Sequence, residues 1–131
     1  VDSYPLICYN MHIKTKEKVK MQAIKKESNQ LLDSVKHIAE TIQSGVYETD
    51  NEDGPSGYDY LTDALDIQYI ISGDKKYLGA RVLVAFGGPN IWINTQKQMI
   101  EGYWWGDTEY AYYQEDNLDL DSALEEIYNC D

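Results

Sequence analysis

The chain has 131 residues, with 23 acidic side chains against 11 lysines and arginines, a formal net charge of −12. That balance disfavours direct nucleic-acid binding, which relies on cations displacing counterions from phosphates. Two cysteines and two histidines leave a metal site almost no ligands, and no run is long and apolar enough to span a membrane. The expectation is a cytoplasmic protein with free thiols at Cys8 and Cys130, no metal and no cofactor.

The charge is split along the chain. Residues 1–44 hold seven lysines against five acids, whereas residues 45–131 hold four basic residues against eighteen acids. A field of that sign attracts basic protein surfaces, including the grooves of nucleic-acid enzymes, and it also keeps a protein soluble. Twelve tyrosines and three tryptophans against one phenylalanine favour rings with a polar handle, which suit half-exposed surfaces and interfaces.

Residues 1–14 read as an N-terminal extension that could form a strand, and 15–131 as a single α+β domain. From Lys16 to Gln43 the positions Met21, Ile24, Ser28, Leu31, Val35, Ile38 and Ile42 recur at steps of three and four, with Ser28 the only polar member, one stripe of an amphipathic helix that Gly45 ends. "ETDNEDGPSG" (48–57) is a solvated loop. Ser56, with Asp59 three residues on, starts a short helix over "YDYLTDALD".

The period then changes to alternation. Strands are expected at Ile67–Ser72, Tyr77–Phe86, Ile91–Thr95 and Met99–Trp105, with Glu109–Tyr113 as a fifth, joined by hairpin-sized links. In the second strand Leu78, Ala80, Val82, Val84 and Phe86 form the core face, and Tyr77, Gly79, Arg81 and Leu83 the other. A helix over Asp119–Asn129 closes the chain, with Asp119 and Asp121 at the positive end of its dipole. The fold class is therefore α+β and two-layer: a long N-terminal helix and a C-terminal helix packed on one face of a four- or five-stranded antiparallel meander sheet.

Few motifs carry chemistry. "GGPN" precedes a strand and lacks the phosphate-loop frame, so it is a tight turn in which Gly87 and Gly88 supply unusual backbone angles. Glu101 and Asp107 in "EGYWWGD" could be the paired carboxylates of a glycosidase, but no His, Lys or Arg nearby shapes a site, and packing with solvated acids is the simpler reading. The acids Asp107, Glu109, Glu115, Asp116, Asp119, Asp121, Glu125 and Glu126 matter as a group. Duplex DNA presents about one charge per 1.7 Å of axis, and carboxylates on a strand, a loop and a helix can approximate such a row.

At "YLGARVLVAFGGPNIWINT" and "EGYWWGD", followed by an acidic stretch and "ALEEIYNC", the chain resembles a group of small acidic proteins carried on phages, plasmids and conjugative elements of Firmicutes. In charge and helix-sheet-helix order it is broadly similar to anti-CRISPR and anti-restriction proteins that mimic DNA. The resemblance implies a mobile-element context, in which many small acidic proteins block host defence, and with the acidic surface the expectation is a non-enzymatic inhibitor of a host defence nuclease. Its partner would be a basic protein surface, met by the acids above, with Tyr103, Trp105, Tyr110 and Tyr112 as apolar anchors. The alternatives are an immunity protein that neutralises a cognate toxin, and a small ligand-binding domain that uses the aromatic sheet face.

Overall fold

The computed structural model describes residues 30–130. The expected extension (1–14), the helical positions Met21 and Ile24, and Cys8 lie outside the described residues. Helix α1 runs over 30–44 and buries Leu31, Val35, Ala39 and Ile42, with Ile38 partly covered. Gly45 ends it at φ 74, its amide donating to the Thr41 carbonyl at 2.9 Å. Asn117 satisfies two further carbonyls, with its backbone amide on Ile42 (3.0 Å) and its side-chain amide on Gln43 (2.5 Å).

Ser56 caps α2 (Gly57–Leu61), its hydroxyl accepting from the Asp59 amide. The helix stops at Leu61 and does not extend through Asp66 as expected. Thr62 turns its hydroxyl back onto the Asp59 carbonyl (2.6 Å), and the Leu65 amide donates to Leu83 (2.8 Å), which draws the chain into the sheet.

Five strands follow in spatial order β1-β2-β3-β4-β5, each antiparallel to its neighbour: β1 (Asp66–Ile71), β2 (Tyr77–Ala85), β3 (Asn90–Asn94), β4 (Met99–Trp104) and β5 (Asp107–Tyr112). Ile67, Val82, Ile93, Ile100 and Ala111 stand in register across all five, an apolar row on one face. Against it pack α1 and α3 (Leu120–Asn129), the latter through Leu120, Ala123 and Leu124. Each fully buried Leu, Ile or Val contributes about 1.5–3 kcal/mol. The architecture is thus an α+β fold with helices on one face of an open antiparallel sheet. Gly102 sets how closely α1 approaches, since a Cβ there would lie 2.7 Å from Val35 Cγ1 and 2.8 Å from Leu31 Cδ1.

The strict alternation expected of β2 fails at both ends. Register shifts fall between Ile70 and Ile71 opposite Leu78, and between Leu83 and Ala85. An extra residue reverses the facing of everything beyond it. Leu78 and Phe86 are therefore exposed instead of core, and Tyr77 turns to the helix side, where its hydroxyl donates to Asp121 Oδ1 at 2.6 Å. Tyr77 packs there with Tyr69 and Tyr128, whose hydroxyl donates to the Lys75 carbonyl at 2.9 Å. These contacts tie both ends of α3 to the β1–β2 hairpin, the first turn through Asp121 and the last through Tyr128.

Candidate functional site

The acidic set divides by partner and by face. Asp116 caps α3, its two carboxylate oxygens accepting from the Leu120 and Asp121 amides at 3.0 and 2.9 Å. Asp119, the expected first residue of the helix, has left-handed backbone (φ 54) and makes no side-chain cap bond. Asp121 is held by Tyr77, and burial together with that hydrogen bond pushes the Tyr77 phenol well up. The side chains of Asp107, Glu109, Glu115, Asp119, Glu125 and Glu126 make no hydrogen bond or ion pair among the described residues. Asp107 pairs with Trp104 and Glu109 with Gly102. Both therefore stand at the edge of the face that carries the helices.

The aromatic anchors lie on the opposite face. Tyr110 pairs with Glu101, Tyr112 with Met99 and Thr108 with Tyr103, all on the side away from Gly102. Tyr110 and Tyr112 are exposed. Glu101, only 6% exposed, anchors a polar network on this face. It accepts from Arg81 Nη2 (3.0 Å), the Tyr103 hydroxyl (3.0 Å) and Asn94 Nδ2 (3.4 Å). Burial first, and the Glu101 hydrogen bond second, push the Tyr103 phenol up to about 12. Arg81 also lies 4.2 Å from the centroid of the Trp92 ring. Glu101 and Asp107 thus sit on opposite faces of β4 and β5, which rules them out as a carboxylate pair flanking one substrate.

Trp105 stands between the two faces, at the two-residue β4–β5 turn. Trp105 (φ 56) and Gly106 (φ 82) both take the positive angles of a type I′ turn. Asn or Asp is the usual first residue there, and a bulky side chain at positive φ is an outlier. The Trp105 indole is nevertheless 72% exposed, so packing does not compensate. In the neighbouring β2–β3 turn Gly87 (φ 104) has the expected unusual angle, whereas Gly88 does not.

Sequence reasoning passed over one feature, a cavity of about 1090 Å³ between the 48–57 loop, α2, α1 and the end of β2. Its apolar lining includes Ile38, Tyr60, Val84 and Ala85, and its acids are Glu48, Asp50, Asp59 and Asp63. The Asp59 carboxylate accepts from the Tyr47 hydroxyl (2.6 Å) and Asn51 Nδ2 (3.2 Å). Hydrogen bonding by Tyr47 foremost, then by Thr49 and Asn51, holds Asp59 below the usual carboxylate range. Burial and the Asp59 bond push Tyr47 up to about 12. Glu48, Asp50, Asp59 and Asp63 all fall within residues 47–63 together with Tyr47 and Tyr60, and that clustering was the available signal.

Among the described residues no group of three or more His, Cys, Asp or Glu side chains is placed to hold a metal ion, Cys130 is an exposed free thiol, and no helix is long and apolar enough to cross a membrane. No protein-family model matches the chain, and no curated protein or solved structure is significantly similar to it.

Proposed function

We propose that this chain is a non-enzymatic binding protein of a phage or mobile element, acting in the cytoplasm, that inhibits a host defence nuclease by placing an acidic surface in its basic nucleic-acid groove. One observation carries the reading: from Gln98 to Asp131 there is no lysine, arginine or histidine, while Asp107, Glu109, Glu115, Asp119, Glu125 and Glu126 have no internal partner among the described residues. Unpaired carboxylates of one sign have no internal ion pair to break when they meet guanidinium or ammonium groups that bind phosphate, and their field speeds the encounter. Asp116 and Asp121 serve α3 internally, so they contribute charge to the field more than direct contacts. Trp105, beside Asp107, is the apolar anchor best placed to join that surface.

The test is inhibition of DNA cleavage by a purified type II CRISPR effector nuclease and by restriction endonucleases. Inhibition is expected to weaken as salt rises. Changing Glu115, Glu125 and Glu126 together to Gln should lower potency by about tenfold at low salt. Inhibition indifferent both to salt and to these changes would sink the proposal.

A further inference from the structure

The cavity beside α2 has a composition that selects its occupant. Its volume of about 1090 Å³ lies just above the usual range of small-ligand pockets, roughly 300–1,000 Å³, and suits a stretch of side chains better than a lone ion. Ile38, Val84 and Ala85 give it aliphatic surface, Tyr47 and Tyr60 meet edge to face at 5.4 Å, and among the described residues no lysine, arginine or histidine lines it. The Asp59 carboxylate is fixed by the Tyr47 and Asn51 donors, so ordering it on binding costs little. Asp50 and Asp63 are exposed and make no hydrogen bond or ion pair among the described residues. Phe86, which follows Ala85 of the lining, is 72% exposed and stands ready to meet an apolar neighbour of the occupant.

We propose that this cavity seats an arginine side chain presented on an extended basic segment of a protein partner. The guanidinium pairs with Asp59 and the Asp50 and Asp63 rim, its plane lies against tyrosine, and its methylene stem covers Ile38 and Val84. Lysine, a compact and strongly hydrated charge, gains less from such a wall. The inference rests on the reading that the partner is basic, and it adds a contact zone separate from the α3 acids.

Binding of a labelled hexa-arginine peptide to the full chain, followed by fluorescence anisotropy at physiological ionic strength, tests it. Two charge-matched variants are compared: Asp50→Asn with Asp63→Asn, and Glu125→Gln with Glu126→Gln. Neither pair takes part in an internal hydrogen bond, and melting curves confirm that both fold. The cavity pair should lose about tenfold in affinity and the α3 pair about twofold or less. The hexa-citrulline peptide should not bind, and amide NMR shifts should centre on Asn51, Thr62 and Ala85. Equal losses for the two pairs, shifts centred on α3, or no binding of hexa-arginine would each overturn the cavity proposal. If only the α3 pair matters, the acidic-surface reading stands without the cavity. If only the cavity pair matters and no acid affects nuclease inhibition, the cavity stands and the inhibitor reading falls.

Discussion

At the scale of single residues, Trp105 and Glu101 spend stability in different ways. Glu101 is a nearly buried carboxylate on the sheet face away from the helices, tolerated because Arg81, Tyr103 and Asn94 all donate to it. Removing one donor leaves a desolvated charge, the costly half of any buried pair. Trp105 has no such compensation: it holds left-handed backbone, about 1–2 kcal/mol unfavourable for a residue with a Cβ, and its ring points to solvent. Trp105→Asn is therefore expected to raise unfolding free energy by about 1 kcal/mol in urea titrations, because Asn-Gly is the preferred type I′ pair. The same change should weaken nuclease inhibition. A variant that loses stability would show that the indole packs in solution, and unchanged inhibition would remove Trp105 from the contact surface.

At the scale of elements, the capping of α3 gives a sharp contrast. Asp119 occupies the N-cap position of the helix but has left-handed backbone and makes no side-chain cap bond, and Asp116 reaches the two amides instead. Asp116→Ala should cost about 1–2 kcal/mol, whereas Asp119→Gly should stay within about 0.5 kcal/mol of the parent, both read by urea denaturation. The reverse order would return the cap to Asp119. The case marks where the sequence was legible. The core positions Ala80 and Val82 of β2 and the stripe Leu31, Val35, Ile42 follow from periodicity alone, because burial on one face demands those spacings. Bulges leave no such trace, so the reversal of Tyr77, Leu78 and Phe86 could not be read from alternation. The site was harder still. That Asp107 and Glu109 share the helix face while Tyr110 and Tyr112 occupy the other depends on a two-residue turn fixing the β4–β5 register. The cavity draws on α1, the 48–57 loop, α2 and β2, segments that only the fold brings together.

At the scale of the whole molecule, charge acts on folding and on binding with opposite signs. Residues 45–131 carry eighteen acids and four basic residues. Among the described residues, Lys76 pairs with Asp74 on the surface and Arg81 with Glu101, which leaves most of the acids without a cation. Folding concentrates this charge, so self-repulsion opposes the compact state. The Debye length shrinks from about 30 Å at 0.01 M salt to about 10 Å at 0.1 M, which screens neighbouring carboxylates from one another. Raising NaCl from 0.01 to 0.3 M is accordingly expected to raise the melting temperature by about 4 °C, equivalent to about 1 kcal/mol. KCl should match NaCl, since screening depends on ionic strength and not on the identity of the ion. The complex with a basic partner should weaken over the same range, because the charges that repel within the chain attract across the interface. A melting temperature that falls with salt would mean that attractive ion pairs outweigh repulsion in the folded chain. The acids would then already be committed internally, and the surface would have little unpaired charge to offer a nucleic-acid groove.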